Sequence, residues 1–278
     1  MIDYHIHPNY SLDAEGSIED FCQAAISKGV TEIAFTTHLD TDPFTEDCIV
    51  NLGGKTIDVH SNLWFEDYEQ NIRTMGDKYI ERGLKVLLGA ELDIYPSVLE
   101  NLPESFHETE WDIVIGSVHL IDHLALSKKE DANIIYSKYE MNQLGEKYFS
   151  ILMETIESST IDVLGHLDLY RRYGEEYYGN EIHNIWRPYI DDLSALMKKH
   201  TTGFEINTSS WRRGLSEPMP STPFVKALID RGVTLVTVGS DAHSPSDVGS
   251  GIEMAIQLLR DCSETEPSRF RKRIPFQV

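Results

Sequence analysis

Seven short apolar runs divide the sequence, and this repeat constrains the fold more than any other feature. The runs cover residues 2–7, 31–37, 84–90, 111–118, 161–165, 203–207 and 234–240. Most are near-continuous in Val, Ile and Leu without polar alternation, which is typical of parallel strands covered on both faces. Strands that alternate with helices form either a barrel or a doubly wound open sheet.

Amphipathic segments, which predict helices, lie between the runs. They cover residues 17–28, 65–82, 138–158, 185–199, 221–231 and 246–259. Ser17 followed by Asp20 predicts a capping box at the start of the first helix. Two connections, residues 40–62 and 121–135, are longer than a barrel requires, and we expect them to form lid or substrate loops.

Metal-binding side chains stand at the ends of six of the seven runs, or on the turn just after the first. They are His5, His7, Asp13, His38, Glu91, His119, His166, Asp241 and His243. His5 and His7 point to one face of their strand because side chains alternate along a strand. A barrel brings all its strand ends to one face, whereas an open sheet spreads them along a line. The sequence therefore predicts an α/β fold, a distorted seven-stranded TIM-like (β/α) barrel, as a single domain over residues 1–278.

These six histidines and three carboxylates are too many ligands for one tetrahedral ion. We expect two or three divalent ions bridged by a carboxylate, and mixed nitrogen and oxygen donors suit Zn, Mn or Fe. Taken singly, a histidine at a strand end is usually just partly buried and hydrogen-bonded, and an acidic residue there can cap a helix. Recurrence at strand ends favours the metal centre. The other histidines lack that position and are predicted to be structural or surface groups: His60, His107, His123, His183 and His200.

The composition restricts the partners and the compartment. The formal charge of −22 at pH 7 argues against nucleic acid or an anionic membrane, because affinity for phosphate backbones comes from Lys and Arg. Three cysteines without C-x-x-C spacing fit a reducing compartment, and neither a secretory signal nor an apolar run of membrane-spanning length is present. We expect a cytoplasmic protein, and the sequence leaves its oligomeric state undecided. The one basic segment, residues 268–275, is expected to pack on the acidic barrel.

The order of the motifs resembles the polymerase-and-histidinol-phosphatase (PHP) superfamily. The motifs are His-x-His, Thr-Thr-His, Gly-Ala-Glu, Ser-Val-His, Gly-His-x-Asp and Ser-Asp-Ala-His. Within the superfamily the chain is most similar to the monomeric type of histidinol-phosphate phosphatase. The resemblance implies a trinuclear metal centre bridged by Glu91. The implied ligand groups are His5, His7, Glu91 and Asp241 for one ion, Asp13, His38 and His243 for a second, and Glu91, His119 and His166 for a third.

The implied activity is hydrolysis of histidinol phosphate, a small phosphorylated substrate of histidine biosynthesis, by attack of a metal-bridging hydroxide. Two alternatives stay open. One is a PHP-type phosphoesterase for another small phosphate ester or a nucleotide, because residues 120–129 lack the Gly and aromatic composition expected after Ser-Val-His. The other is a non-catalytic metal-binding module, although its signature would be missing ligands.

Further residues are assigned by chemistry and position. Glu91 and Asp241 are expected to be catalytic, and Asp168 is a candidate proton donor to the leaving group. Asn207, at the end of the sixth run, is a candidate for a hydrogen bond to the substrate. Arginine suits bidentate contact with phosphate. The arginines just beyond strand ends are Arg171, Arg172, Arg212 and Arg213, of which we expect Arg171 and Arg212 to bind phosphate.

Overall fold

Seven parallel strands form one sheet in chain order in the computed structural model, which describes residues 1–263 and 265–277. They are β1 (Ile2–Ile6), β2 (Glu32–Leu39), β3 (Lys85–Asp93), β4 (Ile113–Ser117), β5 (Val163–Leu164), β6 (Gly203–Asn207) and β7 (Val236–Gly239). Just beyond β7, Ala242 pairs with β1: the amide of His7 donates to the Ala242 carbonyl at 2.9 Å, and the Ala242 amide donates to the His5 carbonyl at 3.2 Å. The sheet is therefore a nearly closed barrel, and the predicted distorted seven-stranded α/β barrel is confirmed.

Helices connect the strands and cover the barrel. They are α1 (Ile18–Ser27), α2 (Asn62–Ile80), α3 (Glu104–Glu108), α4 (Lys129–Lys138), α5 (Met141–Glu157), α6 (Arg171–Tyr178), α7 (Ile190–His200), α8 (Ser209–Arg212), α9 (Thr222–Asp230) and α10 (Ile252–Ser263). The predicted capping box is present, since Ser17 accepts from the Asp20 amide at 3.2 Å and Asp20 accepts from the Ser17 amide at 2.8 Å. Among the described helices none is long and apolar enough to cross a membrane.

Both long connections contain secondary structure that the sequence did not predict. The first forms a β-hairpin of Ile49–Leu52 and Lys55–Asp58, whose turn glycines both have positive φ. The second forms a short hairpin over residues 120–125 and then α4, so the helix expected at residues 138–158 is preceded by a separate helix. Local pairing in these segments depends on packing against the barrel, which periodicity does not report.

The basic C-terminal segment covers the amino-terminal ends of the strands. It forms a hairpin of Arg269–Arg271 and Ile274–Phe276. Arg269 pairs with the buried Glu32 at 2.8 Å, and Arg273 donates to Asp162 at 3.1 Å and to backbone carbonyls beside it. The expectation that this segment packs on the acidic barrel is confirmed. Glu32 and Asp162, which are buried at this end of the barrel, thus have cationic partners that offset part of their desolvation cost.

Replacing Arg273 tests this arrangement. Because Asp162 is buried and Arg273 is its ion-pair partner, Arg273→Met should lower the free energy of unfolding by about 1–2 kcal/mol, measured by urea denaturation. Lys272→Met is the matched control, since Lys272 pairs with the exposed Glu110 at the same turn, and it should leave the unfolding midpoint unchanged. Equal midpoints for both variants would show that the Arg273 pair adds nothing to stability.

Candidate metal centre

Glu91, at the carboxyl end of β3, lies in the middle of the predicted ligands. Its Oε2 atom is 3.2 Å from His5 Nε2, 3.4 Å from His7 Nε2 and 3.0 Å from His38 Nδ1. The first two histidines come from β1 and the third from β2. Parallel strands of a barrel end at the same face, so residues more than 80 positions apart in sequence meet around one carboxylate oxygen.

The second oxygen of Glu91 faces two further histidines. Its Oε1 atom is 3.0 Å from His166 Nε2 and 3.5 Å from His119 Nε2, and the two ring nitrogens lie 3.2 Å from each other. The Ser117 hydroxyl donates to the same oxygen at 2.6 Å. Glu91 therefore has the position of a bridging carboxylate between two groups of histidines.

Asp241 and His243, after β7, complete the ring on the other side. Asp241 Oδ1 is 3.4 Å from His7 Nε2 and 3.4 Å from His243 Nδ1. Asp13 lies at the mouth, where its carboxylate is 3.3 Å from His243 Nε2 and 3.8 Å from His38 Nε2. Its side chain is 63% exposed, in contrast to the buried Glu91. The structure thus brings all nine predicted ligands together, from a buried inner group to an open outer edge.

The donor atoms fit divalent cations. His5 Nε2, His7 Nε2, His38 Nδ1 and Glu91 Oε2 are buried without a hydrogen-bond partner among the described residues. Buried polar atoms are normally paired, and lone pairs that converge from imidazoles and carboxylates are the donor set of Zn, Mn or Fe. Four groups among the described residues approach closely enough to share an ion: His5–His7–Asp241, His7–His38–His243, Glu91–His119–His166 and His38–Asp40–His119, the last of which includes Asp40, not predicted as a ligand.

Charges in the centre oppose the effect of burial on the carboxylates. Burial would raise the pKa of Glu91, but the charges of His5 and His119 hold it well below its usual value. Burial likewise would lower the pKa of His5, yet the carboxylates of Glu205, Glu91 and Asp241 hold it well above. The carboxylates and imidazoles of the centre therefore stabilise each other's charged forms, and metal ions that bind compete with protons for the same imidazoles.

Glu205, on β6, is a buried carboxylate that the sequence analysis missed. Its Oε1 atom lies 2.8 Å from Nδ1 of His5, on the side of the ring away from Glu91. The signal was present in the sequence as a glutamate inside an otherwise apolar strand, Phe-Glu-Ile, because a fully buried glutamate is rare without a partner.

A cleft opens over the centre, and residues of both charges line it. On the side of β5 and β6 lie the half-buried Arg172 and the exposed Arg213. On the side of β2 and β3 lie Asp40 and Asp93. Apolar side chains complete the wall: Leu12, Ile49, Leu120, Leu169 and Met219.

The structure does not bring Arg171 or Asp168 to the cleft. Arg171 is buried, with Nε 2.7 Å from Asp168 Oδ2, and it also donates to the Pro218 carbonyl. Asp168, which is fully buried, accepts from the Ser221 amide at 2.8 Å as well. The two form a buried ion pair that holds the segment before α9, so neither is free to contact phosphate or donate a proton there.

Arg212 and Asn207 also bond to other groups of the protein and do not line the cleft. Arg212 donates to the carbonyls of Ser240 at 2.6 Å and Asp241 at 2.9 Å. Asn207 is fully buried and donates to Glu205 at 3.0 Å. Successive helix residues point about 100° apart, which is why the arginine that follows each predicted one, Arg172 or Arg213, lines the cleft.

Comparison with known proteins shows the family and the fold of the chain. The model of the PHP domain matches residues 3–209, from β1 to the start of α8. The chain belongs to the PHP domain family. Its fold is shared by a crystal structure of the histidinol phosphate phosphatase of Lactococcus lactis subsp. lactis, with a TM-score of 0.81, 21% identity and coverage of 99% of this chain and 98% of that chain. That structure contains zinc, L-histidinol and phosphate.

Relatives of this PHP domain protein extend over nearly the whole chain. The "Probable histidinol-phosphatase" of Deinococcus radiodurans is 27% identical over 99% of both chains. The histidinol-phosphatase of Lactococcus lactis is 25% identical over 97% of this chain and 94% of its own. The similarity therefore includes the segments after residue 209, which carry Asp241 and His243.

Glu91→Gln tests the bridging position. The amide loses the charge and presents one nitrogen where the carboxylate presents a second acceptor, so most of the bound metal should be lost. The measurement is the metal content per chain after gel filtration, with circular dichroism to check the fold. Glu32→Gln, a buried glutamate at the opposite end of the barrel, is the control and should keep its metal. Full metal content in Glu91→Gln would exclude Glu91 as the bridge.

Proposed function

We propose that this protein is a metal-dependent phosphomonoesterase that hydrolyses L-histidinol phosphate to L-histidinol and inorganic phosphate, a step of histidine biosynthesis, in the cytoplasm. The observation that carries the proposal is one cleft lined by seven of the nine candidate metal ligands, with His5 and His7 buried beneath it, and by two arginines that have no ion pair with a described carboxylate. Full-length similarity to proteins named histidinol-phosphatase supports the substrate.

Three groups of side chains would each hold one metal ion. His5, His7, Glu91 and Asp241 would hold one ion, Asp13, His38 and His243 a second, and Glu91, His119 and His166 a third. When bound, divalent ions lower the pKa of water and screen the phosphoryl oxygens. Glu91 keeps the groups at fixed separation, and Asp241 is oriented by Asn207 Nδ2 and the Ser209 hydroxyl, which lie 3.4 Å and 3.1 Å from its Oδ2.

Arg172 and Arg213 are the groups that bind the phosphate. They lie close enough that burial and the charge of Arg213 together lower the pKa of Arg172. A dianionic phosphate between them removes this repulsion and accepts bidentate hydrogen bonds from each guanidinium. Both follow strands that carry parts of the centre, so the phosphorus atom is held next to the ions.

The acidic side of the cleft suits an alcohol that carries a positive charge. Asp40 and Asp93 line the wall formed by β2 and β3, across the barrel from the arginines, and neither has a lysine or arginine partner among the described residues. Asp93 accepts from the His119 amide at 3.2 Å, which fixes its carboxylate. Histidinol phosphate has an ammonium and an imidazole on its alcohol half, whereas sugar phosphates and glycerol phosphate have neither.

Phosphate release from a panel of esters tests the function. The protein is loaded with Zn, Mn or Fe in turn and given histidinol phosphate, glycerol phosphate, a hexose phosphate and a nucleoside monophosphate. We expect kcat/KM for histidinol phosphate to exceed the others by about tenfold or more, because only that substrate pairs with the acidic wall. Equal values would indicate a general phosphoesterase. No turnover by a fully loaded protein would indicate a metal-binding module.

Arginine variants test the phosphate contacts. Arg172→Met and Arg213→Met should each reduce kcat/KM by about 10²–10³ and weaken competitive inhibition by inorganic phosphate. Each substitution removes a positive charge that contacts the phosphoryl group. Arg82→Met, at an exposed position after α2, is the control and should behave as the unaltered protein. Unchanged phosphate inhibition in both cleft variants would contradict the assignment.

A further inference from the structure

Glu205 is fully buried in β6 and contacts the side of the His5 ring that faces away from Glu91. The His5 Nδ1 atom lies 2.8 Å from Glu205 Oε1, while His5 Nε2 lies 3.2 Å from Glu91 Oε2. A carboxylate beside one ring nitrogen keeps a proton there, so that a metal ion binds at the other nitrogen. A histidine arranged in this way presents Nε2 to a metal with a fixed ring orientation.

The other oxygen of Glu205 reaches two more elements of the centre. Oε2 accepts from the His166 amide at 3.2 Å and from Asn207 Nδ2 at 3.0 Å. Asn207 Nδ2 also lies 3.4 Å from Asp241 Oδ2, and the Ser209 hydroxyl lies 2.7 Å from Asn207 Oδ1 and 3.1 Å from the same Asp241 oxygen. A continuous chain of hydrogen bonds therefore runs from Glu205 to the ligand Asp241.

The two ligands at the ends of this network have unusual backbone conformations. The φ angle is +20° at His166 and +53° at Asp241, in a region that residues other than glycine rarely adopt. Such conformations persist only where the surroundings hold them. The network supplies a bond to the backbone of His166 and to the side chain of Asp241.

The neighbouring strand leaves room for this carboxylate. A Cβ atom at Gly239 on β7 would lie 2.0 Å from Glu205 Oε1 and 2.4 Å from the Cβ atom of His5. No side chain fits there without displacing one of the two. Glycine at position 239 is thus a requirement of the pair formed by Glu205 and His5.

We propose that Glu205 is a positioning residue for the metal centre. It holds the proton of His5 on Nδ1, bonds the His166 amide directly and reaches Asp241 through Asn207 and Ser209, so that three ligands from three strands have metal-binding geometry before an ion enters. The proposal rests on the metal centre of the proposed function and not on its substrate.

Glu205→Gln tests this role in the full-length protein. Glutamine has one acceptor oxygen where Glu205 uses two, so it cannot serve both His5 and the His166 amide. The chelator concentration that removes the first ion from the zinc-loaded protein should fall by about 10- to 100-fold, measured by metal analysis after dialysis. In the zinc-loaded protein, long-range ¹⁵N–¹H spectra should show the proton of His5 on Nδ1, and this signal should be shifted or lost in the variant.

Controls separate positioning from general destabilisation. Glu32→Gln removes a buried carboxylate from the opposite end of the barrel, and it should keep both the chelator resistance and the His5 signal. Unchanged metal retention together with an unchanged His5 tautomer in Glu205→Gln would overturn the proposal.

A second variant decides the matter if Glu205→Gln does not fold. Asn207→Ala leaves the His5 pair and cuts the link to Asp241, so it should lower chelator resistance by about tenfold with the His5 signal intact. Unchanged resistance in that variant would also overturn the proposal. Failure of the loaded protein to hydrolyse histidinol phosphate would count against the proposed substrate alone, because these measurements use only zinc and chelator.

Discussion

The structure depends on one buried carboxylate surrounded by imidazoles. Glu91 has a histidine nitrogen within 3.5 Å on five sides, from four different strands or strand ends. Burial of so many ionisable groups in an apolar barrel is costly unless opposite charges or hydrogen bonds compensate it. Cations supply that compensation, so metal binding and the order of the carboxyl-terminal face are linked.

Buried carboxylates have different partners at the two ends of the barrel. At the amino-terminal ends of the strands, buried acids such as Glu32 and Asp162 are paired with arginines of the C-terminal hairpin. At the carboxyl-terminal ends, the acids face histidines and a cleft open to ligands. The closed end contributes stability, and the open end retains unpaired donors and acceptors for chemistry. This division is common to barrels of parallel strands.

Neighbouring residues of one type have separate tasks around the cleft. Arg171 and Arg212 bond to Asp168 and to backbone carbonyls, which holds the segments that carry Arg172 and Arg213. Only the second arginine of each pair lines the cleft. On β6, Glu205 and Asn207 likewise bond to His5 and Asp241 and do not line the cleft themselves. Precise placement of the reacting groups thus requires a supporting layer of buried polar residues.

Local sequence properties were enough to predict the seven strands and the nine side chains that meet at one face of the barrel. Both follow from local properties, since near-continuous apolar runs specify buried parallel strands and a barrel gathers their ends. Which arginines reach the cleft, the ion pair that keeps Asp168 out of it, and the contact between Glu205 and His5 became apparent only in the folded chain. The rotation of a helix about its axis and contacts between strands some 200 residues apart are set by packing, which a linear pattern does not contain.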